Sequence, residues 1–186
     1  SSKRWLTDEE VASGTEFADN EALGFHIPNM FEKVLDIRKC WLQADPSNPI
    51  RMAVREFCIA SGYSFYNPRE HAGLMRNLIV RTSSTGEVMV IVIFGGDDRE
   101  RIGALMEHLA LRFPEIPSLM YVVNTKFNDT IGDLDIQCYK GRDHIFEEME
   151  GLRFKIGPKS FYQTNSAQAY ELYRVAREFA ELGGGE

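Results

Sequence analysis

Val88-Met89-Val90-Ile91-Val92-Ile93-Phe94 is apolar at every position. A half-buried strand alternates apolar with polar residues, whereas a strand that is apolar on both faces sits in the middle of a sheet with helices over at least one side. Leu74 to Ser84 is a second β-branched run, joined to the first by Ser83-Ser84-Thr85-Gly86, so the two read as a strand pair with a short loop. Helices flank the pair. Ser47-Asn48-Pro49-Ile50 has the form of a helix start, a capping polar residue with a proline where its missing N–H does no harm. Behind it Ile50, Ala53, Val54, Phe57, Cys58 and Ser61 recur at helical spacing, and Gly62 offers the stop. A second helix is capped by Asp97 or Asp98, carries the stripe Ile102, Leu105, Met106, Leu109 and Phe113, and ends at Pro114.

Further strands are expected over 119–124, 134–139, 145–149 and 152–156, the last alternating Leu152, Phe154 and Ile156 with Arg153 and Lys155. Near the start, residues 22–27 and 33–37 form a hairpin around Pro28-Asn29, while 8–21 is polar and without period, which reads as a loop. A final helix over about 166–182, capped by Asn165 or Ser166, places Ala169, Leu172, Tyr173, Ala176, Phe179 and Ala180 on one face and pairs Arg174 with Glu178 and Arg177 with Glu181 on the other. The class is α+β, with mostly antiparallel strands and about three helices. Three divisions follow: an N-terminal strand and polar loop (1–21), a central α+β unit (22–160), and a motif with its helix (161–186).

At 186 residues, 44% apolar and 26% charged, the chain can bury a sizeable core. No apolar run approaches a membrane span, and the start lacks the apolar core of a secretory signal, so a soluble cytoplasmic protein without a membrane partner is expected. Cys40, Cys58 and Cys138, odd in number and scattered, argue against a disulfide framework. A formal net charge of −7 speaks against binding nucleic acid by bulk electrostatics.

The chemistry concentrates late, in Phe154-Lys-Ile-Gly-Pro-Lys-Ser160 followed by Phe161-Tyr-Gln-Thr-Asn165 and a helix. A ring, an amide and a helix N-terminus then stand side by side, groups that suit a flat base and a polar cofactor. This segment resembles the F-x-Q-x-N stretch of the S-adenosylmethionine-dependent RNA uracil-5 methyltransferases, which form 5-methyluridine in ribosomal and transfer RNA. Leu23-Gly-Phe-His26, Val34-Leu-Asp-Ile-Arg-Lys-Cys40, Leu74 to Arg81 and Gly141 to Glu148 are similar to pieces of that family's central domain, in the family's order. The resemblance covers most of the chain from Leu23 to Leu182.

It implies a structured RNA partner and covalent catalysis on a base swung out of its stack. A cysteine thiolate adds to C6 of uracil, C5 takes the methyl group, and a carboxylate removes the C5 proton. The family's nucleophile, base and glycine-rich cofactor loop lie in a Rossmann-like half beyond Gly183-Gly184-Gly185-Glu186, so no catalytic residue is expected among these 186 residues and the segment alone is expected to be inactive. Gln163 matches the cofactor-contacting glutamine. Phe161 matches the aromatic packed on the flipped uracil. Cys40 matches one ligand of the [4Fe–4S] cluster that some members carry, whose other three ligands lie upstream in a C-x5-C-x2-C run; it also tilts the reading toward the ribosomal branch (23S rRNA) over the tRNA branch.

Read from the residues alone, Phe161 is equally an ordinary core ring, Gln163 a turn residue and Asn165 a helix cap. Cys58 and Cys138 are expected in the core. His26, His71, His108 and His144 lack metal-like spacing. Asp143, Glu147 and Glu148 read as a solvated strand edge. Arg76 and Arg81, five apart on one strand, fall on opposite faces by alternation and are within reach of a phosphate. The competing reading of the whole is a stand-alone α+β module that grips a peptide or small ligand with the turn at 161–165.

Overall fold

In a computed structural model, which describes residues 1–14, 16 and 20–181, the elements in chain order are β1 (Arg4–Trp5), α1 (Asp8–Ala12), β2 (Phe25–Ile27), β3 (Met30–Leu35), α2 (Ser47–Ala60), β4 (Met75–Thr82), β5 (Val88–Phe94), α3 (Arg99–Arg112), β6 (Ser118–Val123), β7 (Gln137–Gly141), β8 (Ile145–Met149), β9 (Leu152–Ile156) and α4 (Ser166–Ala180).

Every residue of β5 is buried. It lies inside a sheet of order β4-β5-β6-β7, antiparallel to β4 with Ile79 opposite Ile91, and parallel to β6 with Ile93 opposite Val122. The parallel pair needs a crossover, and α3 supplies it. Val88, Val90, Val92 and Phe94 share one apolar cluster with Ile50, Val54 and Cys58 of α2 and Ile102, Leu105 and Leu109 of α3. Met89, Ile91 and Ile93 face the other way, onto Ile145 and Ile156 of the antiparallel β8-β9 hairpin. Fully burying each such side chain contributes roughly 1.5–3 kcal/mol, so the central strand anchors two layers at once.

β1, β3 and β2 form a small separate sheet, with Asn29 in the left-handed region (φ 65) at the expected hairpin turn. Asp36 ties this sheet to α2, accepting from Arg4 at 2.6 Å and from Arg55 Nε at 2.9 Å. The α+β class and the antiparallel majority hold as read.

Several local readings are corrected. Residues 8–12, expected to be loop, form α1 because Thr7 and Glu10 make a reciprocal capping box: the Thr7 hydroxyl accepts from Glu10 N at 3.2 Å and Glu10 accepts from Thr7 N at 2.8 Å. Thr15 and 17–19 of that expected loop lie outside the described residues. Ser47 does not cap α2; it sits inside the first turn with its hydroxyl buried, and Pro46 occupies the cap position. The strand expected over 134–139 starts later, at Gln137, because Leu134 and Ile136 pack on the apolar cluster instead. Cys138 is exposed rather than in the core, since β7 closes the sheet with little over it.

The last helix keeps its expected start, with Asn165 accepting from Gln168 N at 3.1 Å. Its apolar stripe is open, however: Ala169 is buried, while Leu172, Tyr173 and Phe179 are exposed. Arg174 pairs with Glu178 as expected, but Arg177 reaches back to Glu150, at 2.7 and 2.6 Å, instead of to Glu181. Leu182 and the terminal Gly183 to Glu186 lie outside the described residues. Among the described residues no helix is long and apolar enough to cross a membrane.

Candidate nucleic-acid and cofactor site

Residues 157–160 connect β9 to the 161–165 motif, and Arg81 holds them. From β4 its guanidinium donates to Ser160 O at 2.8 Å and Gly157 O at 3.4 Å. The loop closes on itself as well, with Gly157 N donating to the Ser160 hydroxyl at 3.0 Å and Ser160 N donating to Gly157 O at 3.1 Å. Lys159 donates to Leu134 O at 2.7 Å. The motif is therefore presented from a braced support.

Within it, side chains part company. Tyr162 turns inward, packing on the Met89/Ile91/Ile93 cluster and within 6.4 Å of the Phe154 ring. Its neighbours turn outward: Phe161 is 87% exposed and Gln163 is exposed. Asn165 spends its side-chain oxygen on the helix cap.

Glu147 is the surprise. Read as part of a solvated edge, it is 1% exposed, because it follows Ile145 by two residues and so shares that residue's inward face of β8. Its carboxylate accepts from the Ser84 hydroxyl, from Ser84 N at 3.1 Å, from Ser166 Oγ at 2.8 Å and from Glu148 N at 3.0 Å. Burial pushes this carboxyl up, but the hydrogen bonds from Ser84, Ser166 and the two amides outweigh it and hold the group below the usual carboxylate range. It is a structural anion that pins the 83–87 loop and the first turn of α4. Glu148 and Asp143 remain exposed, as the edge reading has them, with Asp143 paired to His144 at 2.7 Å.

A cavity of about 650 Å³ opens beside the motif. Tyr162 to Ser166 form one wall, Cys40 and Gln43 another, and Val80 to Ser83 with Glu147 the floor. Gln163 and Cys40 thus meet across one space although 123 residues separate them in number. Phe161 is not part of that lining and stands exposed to solvent. Among the described residues Gln163 makes no hydrogen bond, so both its carbonyl and its NH₂ are free for a polar ligand. That donor set suits a polar ligand that both donates and accepts.

Cys40 is positioned by Asn48, whose side chain accepts from Cys40 N at 2.7 Å and donates to Cys40 O at 3.1 Å. An iron–sulfur cluster takes several thiolates, of which Cys40 offers one at this cavity. Cys58 is buried in α2, Cys138 stands on β7, and no group of three or more His, Cys, Asp or Glu among the described residues is placed to hold a metal ion.

Neither Arg76 nor Arg81 is free for phosphate. Arg81 is spent on the 157–160 loop, and Arg76 is buried, donating to Asn124 O, Lys126 O and Asn128 O at 2.6–2.8 Å and pairing with Asp129. The register against β5 also shifts between Met75 and Asn77, which breaks the alternation from one arginine to the other.

No protein-family model matches the chain. An uncharacterized RNA methyltransferase of Bacteroides thetaiotaomicron is 58% identical over 189 residues, which takes in all of this chain and 42% of that protein. One from Porphyromonas gingivalis is 56% identical, again over all of the chain and 41% of the relative. Among solved structures, the Pyrococcus abyssi tRNA (uracil-54, C5)-methyltransferase in complex with S-adenosyl-L-homocysteine is 27% identical with a TM-score of 0.64, over 79% of this chain and 36% of that one. The chain spans about two fifths of the length of these two curated relatives.

Proposed function

The chain belongs to the RNA uracil methyltransferase family, and from that membership we propose that the whole protein transfers a methyl group from S-adenosylmethionine to C5 of a uridine in RNA. The observation that carries this reading is the outward pair of Phe161 and Gln163 on either side of an anchored Tyr162. S-adenosylmethionine, when bound, supplies the methyl group. Gln163 offers it one amide that both donates and accepts. Phe161 offers a bare ring face to an unstacked base, a contact worth roughly 1–3 kcal/mol in nucleic-acid binders. In this reading residues 161–186 lead from the central unit toward the part of the protein that holds the rest of the cofactor site. The similarity of Val34 to Cys40 to the ribosomal branch directs the first assay to ribosomal RNA, with transfer RNA as the comparison.

The test is methyl transfer by the full-length protein to RNA labelled at uridine C5. Release of tritium from [5-³H]uridine-labelled RNA, lost on Phe161→Ala and accompanied by a raised KM for S-adenosylmethionine on Gln163→Ala, supports the proposal. Methyl transfer without tritium release refutes it.

A further inference from the structure

Almost every cation of this acidic chain is committed. Of its 21 lysines and arginines, Lys33, Arg38 and Lys39 alone make no side-chain ion pair or hydrogen bond among the described residues. These three fall within residues 33–39, and two of them lie over tryptophan rings: Lys33 Nζ is 5.3 Å from the Trp5 centroid and Lys39 Nζ is 3.7 Å from that of Trp41. The carboxylates on either side are already engaged, Asp36 by Arg4 and Arg55, and Asp45 by Asn48. Beside the cations, Trp41 is 82% exposed and Leu42 is 99% exposed, an uncommon setting for two large apolar side chains in a row.

That exposure is imposed by a braced backbone. Buried Arg51 donates to Ile37 O and, at 2.9 Å, to Arg38 O. Asn48 holds Cys40 at both its N–H and its carbonyl, and Gln43 donates to Val80 O at 2.9 Å. The chain is therefore fixed on both sides of Trp41, whose two neighbours, Cys40 and Leu42, line the same cavity as Gln163.

We propose that residues 38–42 grip the RNA strand beside the reacting uridine: Arg38 and Lys39 take its phosphates, and Trp41 stacks on an unpaired base through the ring face that Lys39 leaves open. The proposal rests on the reading of the protein as an RNA uracil methyltransferase and adds to it a strand-holding loop at the edge of the cavity. A net charge of −7 gives no general attraction for phosphate, so contact depends on the few cations that no carboxylate neutralises. A ring beside a cation suits a nucleotide of any sequence, which brings a flat face and an anion together. An acidic peptide would satisfy the cations but leave the ring without a flat partner. Fixing the loop in advance lowers the freedom lost on binding.

The test uses the full-length protein. In methyl transfer, Trp41→Ala raises KM for RNA roughly 5- to 100-fold, leaves KM for S-adenosylmethionine at the parent value, and is rescued by Trp41→Phe. In fluorescence anisotropy with labelled hexauridylate, which needs no methyl transfer, the slope of log Kd against log salt becomes shallower by about 0.7 for each of Arg38→Gln and Lys39→Gln. All three side chains are exposed, so thermal melts of the variants stay close to that of the parent. An unchanged KM for RNA in Trp41→Ala, or an unchanged salt slope when Arg38→Gln and Lys39→Gln are combined, overturns the inference and gives the loop to a partner other than RNA. Tritium release alongside either of those results leaves the proposed function standing, whereas methyl transfer without tritium release, combined with a shallower salt slope, refutes the function and keeps the strand-holding loop.

Discussion

The Glu147 carboxylate accepts the Ser166 hydroxyl at 2.8 Å, joining a buried strand position to the first turn of the last helix. With Ser84 on its other side, this one anion links three segments that are far apart in sequence. A negative group at a helix start is also favoured by the helix dipole.

Replacing Glu147 with Gln introduces an NH₂ among groups that all donate. The expected loss is about 2–3 kcal/mol, since a buried partner is removed and donors are left facing a donor. Urea denaturation of the two proteins at neutral pH measures it.

The same residue sets an acid dependence. Its folded pKa lies below the ordinary glutamate value of 4.5, so the unfolded chain takes up the proton first as pH falls. Its contribution is complete above 4.5 and is lost as pH drops through the lowered folded value. Stability measured across that acid range falls more steeply in the parent protein than in Glu147→Gln.

Arg81→Ala frees the carbonyls of Gly157 and Ser160. Hydrogen bonds from a charged donor contribute about 1.5–3 kcal/mol. Hydrogen exchange is expected to quicken at amides 157–165 and to stay unchanged in β5. Protection of the motif equal to that of the parent protein refutes the bracing role.

Asn165→Ala removes the cap of α4 and is expected to destabilise by about 1 kcal/mol, seen as faster exchange in the first turn after Ser166. Phe161→Ala, by contrast, is expected to shift stability by less than about 0.5 kcal/mol, because the ring is 87% exposed. A pair of thermal melts separates the two.

Thiol chemistry separates the cysteines. Burial pushes Cys58 up to about 12, which keeps it protonated at neutral pH and out of reach. Mass spectrometry after iodoacetamide treatment is expected to find Cys138 modified in the native protein and Cys58 modified only in denaturant.

What was legible in the sequence follows from where the forces are local. β5 announces itself because both of its faces are apolar, and α3 because Asp98 and a stripe at helical spacing fall within one window. The capping box of α1 was equally local, Thr7 and Glu10 three residues apart, but a segment of five residues carries too little periodicity to be noticed. Glu147 could have been read as inward from its alternation with Ile145; its charge argued the other way, and its partners Ser84 and Ser166 are named nowhere near it. The motif at 161–165 was legible by resemblance. Its meeting with Cys40 across a cavity, and the commitment of Arg76 and Arg81 to distant carbonyls, are products of the tertiary fold and have no local signal.

Tyr162, fixed in the apolar layer between two outward neighbours, acts as a fulcrum. The distance between whatever meets Phe161 and whatever meets Gln163 is thus set during folding, before either arrives. Aligning a planar partner with a polar one then requires little further loss of chain freedom, and a change that unseats Tyr162 disturbs both encounters together though it touches neither.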